Sequence, residues 1–287
     1  MKKVGSAIAA VAMMATLLAG CNSEVGGTST PSTGSSGEET LKGTLVFSGS
    51  TSMTDVCTAL SEAFKNQYPD VTVTLNGGGS GAAIPALEDG SAQIGNLSRA
   101  VKEEENPDGK YEAITIALDG IAVVVNKDNP VTDLTLEQFA QIFKKEVTNW
   151  SEFGGADATI SVIGREEGSG TRDGFEDIVD VGDECQYDVQ LNSTGAVVSR
   201  IMSDPNAIGY VSYSAVNDDI KALKVGGVEI SDENIENKTY QLQRPFVHAY
   251  LNGTDNELVQ AYLEFLQTDE AQNIFKEDKL IPQEFWK

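Results

Sequence analysis

From residue 44 onward, short β-branched and aromatic runs alternate with segments whose apolar positions recur at three- and four-residue spacing. Residues 44–47 read as a strand, 54–68 as a helix, 71–75 as a strand, 82–87 as a helix and 92–95 as a strand. Within the first helix Val56, Leu60, Ala63, Phe64 and Tyr68 share one face, the ordinary pattern of a core-facing helix. Strands alternating with helices predict an α/β fold with a largely parallel sheet. Residues 121–125 are continuously apolar, as in a strand covered on both faces, and 126–130 read as a turn. A second series follows, with a helix at 136–143, a strand at 159–163, a helix from about 173 and a strand at 208–211. The chain returns through 246–250 and closes with helical patterns at 257–266 and 270–275. Two such series predict two lobes, and no 20–50 residue repeat is present.

The N-terminal pattern is different. Lys2 and Lys3 precede an apolar run over 4–18, too short for a stable span, which ends at Leu18-Ala19-Gly20-Cys21. This layout resembles a bacterial lipoprotein signal, in which residues 1–20 are removed and Cys21 receives a diacylglyceryl group. Residues 21–40 are rich in Ser, Thr and Gly and cannot bury enough apolar surface to fold, so they read as a tether reaching roughly 24 Å.

Loss of the signal would remove two lysines and take the formal charge from −24 to −26. So acidic a surface argues against nucleic acid or an anionic membrane surface as partner. It leaves a small anion open, because local dipoles and one arginine dominate at contact distance while bulk charge is screened over about 8 Å. Apart from Cys21, the cysteines are Cys57 and Cys185, read either as a disulfide or as two small buried apolar residues. No metal-ligand spacing is present and no cofactor is expected.

Three donor-rich loops carry the candidate chemistry. Gly49-Ser50-Thr51-Ser52, Gly77-Gly78-Gly79-Ser80-Gly81 and Gly168-Ser169-Gly170-Thr171 each stand between a strand pattern and a helix pattern. Helix N-termini present unpaired N–H groups, glycine admits close approach and hydroxyls add donors. Each loop alone is equally a turn with an N-cap, whereas three together with Arg165 suit one anion. Gly77 to Ala82 also fits G-x-G-x-x-A, but the acidic residue a dinucleotide site requires does not follow the next strand, and no lysine completes a P-loop. A serine hydrolase would need Ser169 as nucleophile and His248, the sole histidine, as base, and no G-x-S-x-G elbow is present. Glu103-Glu104-Glu105 reads as a solvated face.

Taken together, Ser48 to Ser52, Asn76 to Gly81, Arg165-Glu166-Glu167-Gly168-Ser169-Gly170-Thr171-Arg172 and Ala207-Ile208-Gly209-Tyr210-Val211 resemble the phosphate-binding protein family of bacterial phosphate ABC transporters. The resemblance covers nearly all of 43–287. It implies a two-lobed type II periplasmic-binding-protein fold with a hinge of crossover strands, lobe one at 41–120 and 245–287 and lobe two at 121–244. It implies a non-enzymatic, monomeric receptor outside the cytoplasm, held to the membrane only by its lipid, that passes inorganic phosphate to permease subunits. Sulfate or molybdate is the alternative ligand.

Carried over by position, the resemblance assigns Thr51, Ser52, Ser80, Arg165, Ser169, Gly170 and Thr171 to the anion, with a surface pair to Glu166 or Glu167 as the other reading of Arg165. Many members place an aspartate near the end of the third strand to accept the phosphate proton. Here Ser98 followed by Arg99 stands at that place. Asp119 is the candidate acceptor instead, its alternative being a turn residue before Gly120, and Arg99 either neutralises such an aspartate or touches the ligand.

Overall fold

The computed structural model describes residues 41–285; the signal, the tether and Cys21 lie outside the described residues. The chain runs β1 (Gly43–Gly49), α1 (Thr54–Gln67), β2 (Val71–Asn76), α2 (Ala83–Glu88), β3 (Ile94–Leu97) and β4 (Tyr111–Asn126). It continues through β5 (Asp133–Leu134), α3 (Leu136–Phe143), β6 (Ser161–Arg165), α4 (Gly170–Val179), β7 (Val189–Leu191), α5 (Thr194–Ser203) and β8 (Ala207–Ser212). After β9 (Ile220–Ala222), β10 (Lys224–Val225) and α6 (Asp232–Glu236) come β11 (Gln243–Leu251), α7 (Glu257–Phe265), α8 (Asp269–Glu277) and β12 (Ile281–Pro282).

The main sheet follows the order β2-β1-β3-β11-β4-β8-β6-β7. β1 is parallel to β2 and β3, and β6 is parallel to β7 and β8, so each series forms a parallel block joined by crossover helices as the alternating pattern predicts. The blocks are joined by antiparallel pairing of β4 with β11 and β8. The sequence pattern marks only 121–125, whereas the strand begins ten residues earlier and is 16 residues long. Asp119 and Gly120 therefore sit inside a strand, opposite Arg244 and Gln243, and not in a turn. Gly120 is there for space: a Cβ would come within 2.8 Å of both Ile230 and Ile235.

Apolar packing divides along the middle of β4. Residues between 121 and 242 build one core around Phe139, Phe143, Trp150, Phe175 and Tyr210, with Phe175 stacked on Tyr210 at 4.3 Å. Residues 45–117 and 246–280 build another around Phe47, Phe64, Phe246, Tyr262 and Phe275, with Tyr262 edge-on to Phe47 and Phe64. A smaller cluster of Ala83, Ile84, Leu97, Tyr111, Val247 and Ala249 lies under β3. The structure is thus a two-lobed α/β fold with helices flanking a mixed sheet.

Helix boundaries follow capping chemistry. Thr135 and Gln138 make a reciprocal capping box that fixes the start of α3 at the expected residue. α4 begins three residues before the expected 173, because Ser169 caps it. α5, which the hydrophobic pattern does not single out, is short, and its buried face is only Thr194, Val197 and Ile201. Cys57 and Cys185 are both free thiols, Cys57 buried in α1. Burial pushes the Cys57 thiol up to about 12, with Asp278 adding to the shift and Asn96 opposing it.

His248 is fully buried on β11 against Phe47 and Tyr262, and neither ring nitrogen has a hydrogen-bond partner. Burial lowers its pKa to about 3 from 6.5. The unfolded chain then gains a proton below pH 6.5 that the folded chain does not, so stability falls with pH by about 1.4 kcal/mol per unit across that window. Urea unfolding at pH 7 and pH 4.5 should show this loss in the wild type and a shallower acid limb in His248→Leu; equal limbs would remove His248 as its cause.

Candidate functional site

β1 ends at Gly49, whose φ of +137° and whose approach to Asn96 exclude a side chain: a Cβ would lie 2.1 Å from the Asn96 carbonyl oxygen. The chain then turns sharply, Ser50 N–H donating to Asn96 O at 2.8 Å, and Ser50 Oγ accepts from Ser52 N at the start of a 3-10 turn that runs into α1. The second loop leads from β2 into another 3-10 turn, Ser80–Ala82. The third leads from β6 to α4, where Ser169 Oγ accepts from Arg172 N. A fourth segment, Ser193-Thr194-Gly195, opens α5, and Ser193 Oγ accepts from Ala196 N at 3.2 Å.

These loops meet. Ser52 Oγ lies 2.8 Å from Thr171 Oγ1 and 3.0 Å from Thr194 Oγ1. Ser50 Oγ donates to Ser98 Oγ at 2.8 Å, Ser80 Oγ is 3.3 Å from Ser98 Oγ, and Ser98 N donates to Ser80 Oγ at 3.0 Å. Gly81 N–H donates to Gly168 O at 2.9 Å, a backbone bond between the second and third loops. Ser80, Ser98 and Thr171 are all fully buried. Beside them a groove of about 410 Å³ is lined by Thr51, Ser52, Thr54, Thr194, Gly195 and Asn217.

Arg165, at the end of β6, is only 2% exposed. Its Nη1 donates to Thr194 Oγ1 at 3.2 Å and its Nη2 to Thr51 Oγ1 at 3.1 Å. Nε and Nη2 also fork onto the Glu166 carboxylate, both at 2.8 Å. The pairing with Glu166 that would have placed Arg165 at the surface thus exists on a buried guanidinium facing the hydroxyls. Thr51, Ser52, Ser80, Ser98, Arg165, Gly170 and Thr171 are brought together, with Ser169 adjoining them as the cap of α4.

Arg99 and Asp119 are engaged beside this cluster. Arg99 donates to both Glu105 oxygens at 2.7 and 2.6 Å and to Ala100 O, and its Nε is 2.8 Å from Asp173 Oδ2. Burial works against its charge, but Glu105 and Asp173 outweigh burial and hold its pKa above the ordinary arginine value. Asp119 is fully buried, and Arg244, not Arg99, neutralises it: Nε and Nη2 donate to Oδ2 at 3.1 and 2.9 Å. Asp119 Oδ1 accepts from Ser212 Oγ and Tyr213 N. Burial raises the Asp119 pKa, with Arg244 the main opposing influence. Arg244 reaches the cluster through Nη1, which donates to Ser98 O at 3.2 Å.

Sequence reasoning missed Thr194 and Arg244, and named Ser50 only as a member of the first loop. Ser193-Thr194-Gly195 has the composition of the other loops and was the available signal, whereas nothing local marks Arg244. The hydrolase reading has no support in this geometry, since Ser169 Oγ is a helix cap and His248 lies in the aromatic core. Glu105 is spent on Arg99, and among the described residues no group of acidic, histidine or cysteine side chains is placed to hold a metal. Hydroxyls, helix N-termini and one guanidinium converging out of water can bind a small oxyanion.

Two lobes with donor-rich loops gathered between them make this a two-lobed α/β binding protein, and a model of the PBP superfamily domain fits residues 34–270. The phosphate-binding protein PstS of Bacillus subtilis (strain 168) is 31% identical over 245 residues, 85% of this chain and 81% of its own. A structure from Clostridium perfringens, described as a phosphate ABC transporter substrate-binding protein with bound phosphate, is 40% identical. It superposes with a TM-score of 0.81 over 84% of this chain and all of its own. An ABC-type phosphate transport receptor from Vibrio cholerae is 33% identical with a TM-score of 0.69, over 83% of this chain and all of that one. The chain belongs to the PBP superfamily and, within it, to the family of phosphate-binding proteins, PstS. Among the described residues no helix is long and apolar enough to cross a membrane.

At Gly170 the third loop presses on the second, since a Cβ there would lie 2.4 Å from Ser80 Oγ and 2.7 Å from Ser98 Oγ. Gly170→Ala should part the second and third loops while leaving both cores folded. Hydrogen exchange at the Gly81 amide, which bonds Gly168 O, should accelerate at least tenfold; unchanged protection would show that the junction absorbs the methyl group.

Proposed function

We propose that this chain captures inorganic phosphate between its lobes, without catalysis, and passes it to the permease subunits of an ABC transporter. The observation that carries this reading is the meeting of hydroxyls from three segments, those of Thr51 and Ser52, Thr171 and Thr194, beside the buried Arg165, in a chain of the phosphate-binding family. Thr51, Ser52, Ser80, Ser98, Arg165, Ser169, Gly170 and Thr171 hold the anion, and Thr194 joins them. Lobe one comprises 41–120 and 245–287 and lobe two 121–244, a division supported by the separate packing of the two cores. β4 and β11 cross between them as the hinge, with the Asp119–Arg244 pair holding the crossing together. The protein works as a monomer outside the cytoplasm, anchored by lipidated Cys21.

One observation favours sulfate or molybdate as a second reading. Both Asp119 oxygens are taken by protein donors, so Asp119 offers no ready acceptor for the proton of hydrogen phosphate. Calorimetry with phosphate, sulfate and molybdate decides between them: phosphate should bind most tightly, and a preference for either of the others would replace it. Arg165→Ala should weaken phosphate binding at least tenfold with the fold retained, because charge-assisted hydrogen bonds contribute about 1.5–3 kcal/mol. An unchanged Kd would confine Arg165 to its pairing with Glu166.

Two acyl chains hold a protein stably on a bilayer, whereas one gives marginal binding. Cys21→Ser should therefore move the protein from the membrane pellet to the soluble fraction. Equal retention in the pellet would exclude Cys21 as the anchor.

A further inference from the structure

Arg99 follows Ser98 directly on the segment leaving β3, which packs with Leu97, Tyr111 and Val247. Asp173 stands in the first turn of α4, the helix whose Phe175 and Val179 pack in the other core. Arg99 Nε and Lys102 Nζ approach the same Asp173 oxygen at 2.8 and 3.2 Å. Among the described residues this is the charge pairing that joins the two packing units away from the crossing strands; Arg244–Asp119 lies between β4 and β11 themselves. We propose that Arg99 and Asp173 form a latch across the cleft that holds the lobes closed and slows release of the bound anion. The latch rests on the binding reading above, since it acts on the closed state of that site.

Three features suit Arg99 to this role. The Arg99 and Asp173 side chains are 9% and 22% exposed, so their attraction is less screened than that of a surface pair. Glu105 already grips Arg99 by two bonds and also accepts from Lys102 N, so little side-chain freedom remains to be lost when Asp173 arrives. The third feature is the position of Asp173, one turn behind Gly170 and Thr171. A carboxylate there opposes an anion at the helix N-terminus, and closure brings two cations onto it. The latch thus couples closure to anion binding twice, by direct attraction and by removing a like charge. A ligand that needs the closed state binds in proportion to that state's population.

Arg99 is accordingly a positioning residue, and a double-mutant cycle on the full chain separates this from direct contact. Stopped-flow release of inorganic phosphate would be measured for the wild type, Arg99→Gln, Asp173→Asn and the double variant, with circular dichroism confirming each fold. Each single change should speed release about tenfold with association altered less than threefold, and the double variant should be no faster than the singles. Wild-type release should quicken from 50 to 500 mM KCl, and the variants should respond less. If Arg99→Gln costs as much in the Asp173→Asn background as in the wild type, Arg99 touches the anion and the latch is wrong. Unaltered release in both single variants overturns it equally. Small-angle scattering of the ligand-free chain gives an independent reading. Asp173→Asn should have a larger radius of gyration than the wild type, and identical profiles count against the latch. If the wild type fails to bind phosphate at all, the functional reading falls, and the scattering comparison alone decides the latch.

Discussion

A guanidinium buried to 2% exposure is a burden on any fold, because its charge and its N–H groups must all be met away from water. Arg165 meets this condition through its neighbour Glu166 and through two residues distant in sequence. Glu166 supplies the counter-charge, while Thr51 and Thr194 supply acceptors from β1's loop and from α5. These partners fix how the ends of β1, β6 and β7 must be arranged. The glycine at 49, the caps at Ser169 and Ser193 and the packing of Gly170 against Ser80 and Ser98 serve that arrangement. Loss of either threonine hydroxyl would leave a donor of the buried guanidinium unmet, which costs more than a satisfied bond contributes.

The second charge burden lies at the crossing. Asp119 and Arg244 face each other in register on β4 and β11, where the two cores separate. All the hydrogen-bond capacity of Asp119 is used by Arg244, Ser212 and Tyr213. Arg244 in turn holds the Ser98 carbonyl, so the crossing and the hydroxyl cluster share a residue. Burial lowers the Arg244 pKa, and nearby Arg165 adds to that effect while Asp119 opposes it. Two arginines close enough to repel require their carboxylates nearby, and both have them. The site is therefore close to neutral in formal charge, and attraction for an anion must come from oriented donors and helix N-termini. This is how an anion receptor can exist in a chain of net charge −24.

Legibility followed the range of the interactions. Residues 54–68 were readable as a helix because its face repeats within the helix itself, and α3 because its cap and its apolar face lie within nine residues. The donor-rich loops were readable as candidates because Gly, Ser and Thr have local reasons to sit between a strand and a helix. α5 was not readable: its short buried face gives a weak period, and it is held in place by β6 and β8. Its loop, Ser193-Thr194-Gly195, consequently passed unnoticed although it has the same composition as the others.

The α/β alternation, the two series of elements and the short list of hydroxyls and arginines able to meet an anion can be read along the chain. All of these depend on neighbours along the chain or on residue chemistry alone. Which cation meets which carboxylate is settled by folding. Arg99 went to Glu105 and Asp173, and Asp119 went to Arg244, 125 residues away. The reason is geometric. A strand pattern states that a residue points into or out of a sheet, but the partner opposite it is set by strand order and register, and in this fold the returning strand β11 comes from the far end of the chain.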